Sequence, residues 1–268
     1  MRWVIGDIHG MLRPLQGLVN LVRQHDAAAR FYFVGDYVNR GPDSRAVVDF
    51  LMKMTDARFA RGNHDDIFDY ILNGECFERH PQLFTPVDCF RAFLQHGLDH
   101  TLLSYDIDYA LIEQVAHRPS ASALEKLIEP VSPEHRAWFR ALPAVLEEPE
   151  FFVIHAKWDP AREDSPHQFA RTLMNRAALR HSVIWARYDA SEILVRKAWR
   201  RVGIFGHTPV PNYPLLGRRN DYEPVVGEHM ILLDTAAALG PLGRLTAWCI
   251  EESRFVQVDR AGVPVKSA

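Results

Sequence analysis

The chain has 268 residues, 47% of them apolar and 24% charged, which is enough to bury a large core and argues against a disordered chain. Lysine and arginine total 31 against 34 aspartates and glutamates, and no polybasic run offers a stripe for nucleic-acid phosphates. No apolar run reaches the roughly 18 residues of a membrane span, and the first strand starts too early for an export signal, so a soluble cytoplasmic protein is expected, without nucleic-acid or membrane partners.

In chain order, Trp3 to Ile5 reads as a buried strand, and Leu12 to His25 as a helix with Leu15, Leu18, Val19 and Val22 on one side. Phe31 to Val34 is a second strand, which makes a βαβ unit. Asp43 can cap a helix through Val47, Val48, Leu51 and Met52, followed by a short strand at Arg58 to Ala60. Residues 65 to about 148 show helical patterns and no strand-then-polar-turn units, so they read as a helical insertion. Strands are expected again at Phe151 to Ile154, Val202 to Phe205 and Met230 to Leu233, with a late hairpin from Leu245 to Ile250 and Phe255 to Val258. The periodicity supports an α/β fold in one domain over residues 1–268. Cys76, Cys89 and Cys249 are odd in number and lack paired metal-ligand spacing, which fits reduced thiols.

Five of these strands end in polar clusters. Gly6-Asp7-Ile8-His9-Gly10 follows the first; in extended chain Asp7 and His9 would point the same way and reach one cation together. Gly35-Asp36-Tyr37-Val38-Asn39-Arg40-Gly41-Pro42 follows the second and Arg61-Gly62-Asn63-His64-Asp65 the third. His155-Ala156 and Gly206-His207-Thr208-Pro209 complete the series. Any one of them alone is an ordinary turn. Five at the carboxyl ends of strands would converge on the crevice where open α/β sheets bind ligands.

As an ordered set these motifs resemble the calcineurin-like metallophosphoesterase superfamily, in its phosphoprotein phosphatase branch of bacterial and phage serine/threonine phosphatases. The resemblance implies a four-layered αββα sandwich. It implies that Asp7, His9 and Asp36 bind one divalent metal and Asp36, Asn63, His155 and His207 a second, with Asp36 bridging. Carboxylate, amide and imidazole donors suit Mn²⁺, with Fe²⁺ or Zn²⁺ as alternatives. It further implies direct attack of a metal-bridging hydroxide on a phosphate monoester, with His64 as general acid and Arg40 and Arg187 holding the phosphate oxygens. The substrate would be a phosphorylated protein or a small phosphate ester.

Two positions depart from that pattern. Asn39 stands where the family usually carries the aspartate that orients the catalytic histidine; its amide oxygen is expected to accept from His64, which becomes a weaker acid. In Leu233-Asp234-Thr235-Ala236-Ala237, alanine replaces a glycine, so local geometry is expected to differ, and Asp234 is expected to be structural. Pro209 occupies the place where nucleases and cyclic-nucleotide enzymes of the superfamily carry a second histidine. The alternatives are symmetrical hydrolysis of dinucleoside tetraphosphates, with Arg218 and Arg219 as candidate contacts for extra phosphates, and a non-catalytic module that binds phosphorylated ligands. The oligomeric state is left open.

Overall fold

The structure is a computed structural model that describes residues 1–74, 85–161, 166, 177–213 and 222–265. Cys76, Arg218 and Arg219 lie outside the described residues. Cys89 and Cys249 are buried and free.

The strands are β1 (Arg2–Ile5), β2 (Arg30–Phe33), β3 (Ala57–Phe59), β4 (Val145–Glu147), β5 (Phe151–Ile154), β6 (Val202–Phe205), β7 (Val225–Gly227), β8 (Met230–Leu232), β9 (Leu245–Cys249), β10 (Arg254–Val258) and β11 (Pro264–Val265). They form two mixed sheets, in the orders β11-β10-β9-β1-β2-β3 and β4-β5-β6-β8-β7. Strands β1, β2 and β3 run parallel, as do β5, β6 and β8. Helix α1 (Leu12–His25) makes the crossover between β1 and β2 that a parallel pair requires.

Period-two alternation assigns the two faces of each strand. Val4, Tyr32 and Trp248 of the first sheet pack against Phe151, Val153, Ile204 and Ile231 of the second, forming the core between the sheets. Their neighbours Trp3, Ile5, Phe31 and Phe33 point the other way, onto Leu15, Leu18 and Val22 of α1 and Val47, Val48 and Leu51 of α2 (Ser44–Met52). Phe152, Ile154 and Phe205 meet Val183 and Ile184 on the outer face of the second sheet. The result is a four-layered α/β/β/α sandwich. Because both faces are covered, the strands appear in the sequence as unbroken apolar runs.

Between β3 and β4 come α3 (Asn63–Asn73), α4 (Pro86–Leu94), α5 (Leu98–Ser104), α6 (Tyr109–His117), α7 (Ala121–Ile128) and α8 (Pro133–Ala141). Thr85, Asp108, Ser120 and Ser132 cap α4, α6, α7 and α8 through their side chains. Arg61 joins α3 to α8: its fully buried guanidinium donates to Asp66, to Asp69 and to the carbonyls of Phe139, Arg140 and Leu142.

Two expectations need correction. Residues 65–148 are not purely helical, since Val145–Glu147 is a strand paired with β5; three residues carry too little periodicity to be seen in advance. Asp43 sits at the N-cap of α2, but its side chain makes no cap hydrogen bond there. The short strands β7 and β11, at sheet edges, escape notice for the same reason as β4. No helix among the described residues is long and apolar enough to cross a membrane.

Ala236 adopts a φ of 64°, the left-handed conformation that its glycine counterpart in the related motif would take without strain. With alanine in place, that conformation carries a local cost. Replacing Ala236 with glycine is expected to raise stability by about 0.5–1 kcal/mol, after the extra freedom of glycine in the unfolded chain is subtracted. Chemical denaturation measures it; an unchanged or lower midpoint would show that no strain resides there.

Candidate active site

The polar clusters meet at one rim, where the carboxyl ends of β1, β2 and β3 in the first sheet face those of β5 and β6 in the second. Cross-sheet bonds hold the rim together: His155 Nδ1 lies 2.9 Å from the Val34 carbonyl, and His207 N donates to Asp7 Oδ2 at 3.0 Å. Gly206 permits the close approach, because a Cβ there would fall 2.0 Å from Asp7 Oδ1. His9, Asp36, Asn39, Arg40 and His207 all have positive φ, between 47° and 70°. Each such residue costs of order 1–3 kcal/mol, a concentration of strain typical of sites where the surroundings dictate geometry.

Asp36 lies at the centre. Ligand atoms of His9, Asp36 and His64 fall within 4.8 Å of one another, and so do those of Asp7, Asp36 and His155. Asp36 belongs to both groups. Asn63 Oδ1 sits 3.0 Å from His155 Nε2 and 2.9 Å from His207 Nδ1, which adds the amide and the last imidazole. All six residues singled out as metal ligands are therefore brought together. The reason given for pairing Asp7 with His9 does not hold, however: β1 ends at Ile5 and His9 is left-handed, so the two are not alternate residues of an extended strand.

The donors are oriented from behind. His9 Nδ1, His155 Nδ1 and His207 Nε2 lie 2.9–3.0 Å from the backbone carbonyls of Val38, Val34 and Trp185. A carbonyl only accepts, so each ring carries a proton on that side and presents its other nitrogen to the cluster. Among the described residues, buried Asp7 Oδ1 and His9 Nε2 have no hydrogen-bond partner. Orphaned buried acceptors beside a carboxylate are what a bound cation would satisfy, and the mixed N/O donor set fits Mn²⁺, Fe²⁺ or Zn²⁺.

The helix α3 begins directly under Asp36. His64 N donates to Asp36 Oδ1 at 2.9 Å, and Asp65 accepts the N–H groups of Asp36, Tyr37 and Gly62 at 2.7–2.9 Å, tying two strand-end loops into one unit. Burial, then the Asp36 charge, pushes the Asp65 carboxyl up to about 7. Asp7 is raised by burial and by Asp234. For Asp36 burial works against ionisation, but His155, His64 and His9 outweigh it and hold the carboxyl well below the usual range. Burial lowers His64 to about 4, with Asp36 opposing and Arg40 adding to the effect.

The Arg40 charge lowers both His9 and His64, while Arg187 Nη1 donates to Thr208 Oγ1 at 3.0 Å beside His207. The Asn39 side-chain amide lies 2.8 Å from His64 Nδ1, and its other end lies 2.8 Å from Thr101 Oγ1. Thr101, Ser44 and His100, whose Nδ1 reaches the Arg40 carbonyl, were not anticipated. Nothing in the local sequence of α5 marks Thr101 or His100, since their contacts span about sixty residues of chain.

Comparison with known proteins adds three findings. A symmetrical bis(5'-nucleosyl)-tetraphosphatase of Coxiella burnetii is 43% identical over 63 residues, which is 24% of this chain and 22% of that protein, so the chain matches under a quarter of the relative's length. A cold-active protein-tyrosine phosphatase of a psychrophilic Shewanella superposes with a TM-score of 0.54 at 14% identity, covering 98% of this chain and 79% of that one. A metallophosphoesterase from Sphaerobacter thermophilus gives 0.50 at 17% identity, covering 100% and 89%. These two share the fold. The calcineurin-like phosphoesterase family model matches residues 2–211, a span that contains every strand-end cluster described above, and the chain belongs to that family.

Proposed function

We propose that this chain hydrolyses phosphate monoesters at a dinuclear metal centre formed by Asp7, His9, Asp36, Asn63, His155 and His207. The reading rests above all on the three imidazoles, each pinned by a backbone carbonyl with its free nitrogen turned toward Asp36 or Asn63. Divalent ions held by these six residues would supply positive charge for the phosphate and lower the pKa of a water molecule. Arg40 and Arg187 bind the remaining phosphate oxygens through charge-assisted hydrogen bonds. His64, whose Nε2 lies 4.0 Å from Asp36 Oδ2, stands at the edge of the cluster and meets the leaving oxygen.

Turnover of p-nitrophenyl phosphate by chelator-treated protein, before and after adding Mn²⁺, tests this. Activity is expected to be absent without metal and to return with it. A protein that binds Mn²⁺ yet shows no metal-dependent turnover would instead be a module that binds phosphorylated ligands. The Coxiella relative favours a second reading, hydrolysis of dinucleoside tetraphosphates, which side-by-side rates on diadenosine tetraphosphate and phosphopeptides separate.

A further inference from the structure

Arg40 is the residue proposed to grip the phosphate, yet its side chain has no anchor of its own: among the described residues none is hydrogen-bonded or ion-paired to the guanidinium. Its aim is therefore set by the backbone that carries it. Asn39 and Arg40 are two successive left-handed residues, with φ of 70° and 68°, and such a pair persists only where neighbours hold it. One side of the loop is held by the first strand-end motif: Gly41 N donates to the His9 carbonyl and Asp43 N to the Gly10 carbonyl, both at 2.9 Å. The other side is held by the helical insertion. Arg40 N donates to the Gly97 carbonyl at 3.2 Å, His100 Nδ1 donates to the Arg40 carbonyl at 2.5 Å, and Asn39 N donates to Thr101 Oγ1 at 2.8 Å. Three of the four main-chain polar groups of Asn39 and Arg40 thus end on the first turn of α5, and the fourth, the Asn39 carbonyl, accepts from Gly41 N at 2.8 Å. Gly97 itself has a φ of 82°, and a Cβ there would fall 2.4 Å from Arg40 N, so only glycine lets the turn come this close.

We infer that Gly97, His100 and Thr101 are positioning residues that hold Arg40 beside the metal-ligand cluster, so that the helical insertion sets the affinity of the site for a phosphoryl group. The inference rests on the phosphoesterase reading, in which Arg40 is a phosphate ligand, and adds residues that no strand-end motif contains. An arginine fork must meet two oxygens at once, and a displacement of about 1 Å is enough to lose that geometry. Released from α5, Asn39 and Arg40 would relax toward the commoner right-handed or extended regions, and the direction in which Arg40 leaves the backbone would turn with them. The oxygens that Arg40 holds do not leave during the reaction, so the contact is made to substrate and transition state alike. Its loss therefore falls on KM and leaves kcat nearly untouched.

His100→Phe keeps a ring at a half-exposed position and removes the donor, while Thr101→Val keeps the shape and removes the hydroxyl. In each variant KM for p-nitrophenyl phosphate and the inhibition constant of inorganic phosphate should rise roughly tenfold, with kcat changing by less than about threefold. His100→Asn, whose amide can still donate to the carbonyl, and Thr101→Ser should restore parental values. The deciding measurement is a double-mutant cycle with Arg40→Ala: once the guanidinium is gone, His100→Phe should alter the phosphate constant by no more than about twofold. An equal rise in both backgrounds means that His100 acts on the fold rather than through Arg40 and overturns the proposal, as does a parental constant in His100→Phe. Should Thr101→Val not fold, His100→Phe, at the surface, carries the test. Exchange of the Arg40 amide proton, followed in ¹⁵N spectra of the zinc-loaded protein without turnover, should quicken in His100→Phe; equal protection in variant and parent also overturns the proposal. A parent that turns over no ester sinks the phosphoesterase reading, and the exchange rates then still decide whether α5 holds the loop. Intact turnover without coupling between His100 and Arg40 leaves that reading in place and removes the positioning role.

Discussion

Asp36→Asn is expected to lower kcat/KM for p-nitrophenyl phosphate by roughly 10³-fold, the equivalent of several kcal/mol of transition-state charge stabilisation. Asp36 is the one carboxylate common to both groups of potential ligands, so its charge counts twice. The substitution is close to isosteric, and the asparagine oxygen can still accept from His64 N, a bond of 2.9 Å in the parent. The fold should therefore persist while metal content falls from two ions per chain to one or none. Elemental analysis after dialysis measures the metal, and thermal unfolding checks the fold. A variant that keeps two ions and activity within tenfold of the parent would show that Asp36 is not the bridge.

The second large effect concerns stability. Arg61→Met removes a guanidinium that is wholly buried and serves two carboxylates and three carbonyls at 2.7–3.2 Å. Methionine fills much of the volume but donates nothing. Asp69, also fully buried, is then left with one fewer donor. Breaking a buried ion pair from one side costs about 3–5 kcal/mol, which for a chain of this size lowers Tm by about 10 °C or more. Arg61→Lys should recover only part of the loss, because an ammonium cannot reproduce the planar fork that spans α3 and α8. Calorimetry distinguishes these outcomes; a destabilisation below about 1 kcal/mol would mean that the carboxylates and carbonyls find other partners. Since Arg61 immediately precedes Gly62 and Asn63, activity should decay faster on warming in the variant.

Strands β1, β2, β5, β6 and β8 were legible in the sequence because each is buried on both faces and so consists of consecutive apolar residues, ending in glycine, aspartate or histidine. Helix α1 was legible from its spacing. Edge strands β4, β7 and β11 were not, since two or three residues establish no period and what makes them strands is a neighbour to bond with. The individual helices between β3 and β4 were blurred for a different reason: their caps are clear, but their apolar faces are defined by one another.

What this sequence determined by itself is the chemistry available at the site. The carboxylates, imidazoles and amide occur in short motifs at strand ends, where the chain must turn and where side chains are free to bind. What only the tertiary structure decided is how those groups are aimed. That the clusters come from two facing sheets, that backbone carbonyls orient three histidines, and that Thr101 of α5 meets the Asn39 amide all depend on contacts between residues up to 200 positions apart. A hydrogen bond has polarity as well as position, and its polarity is fixed by the partner that packing delivers, which no local pattern records.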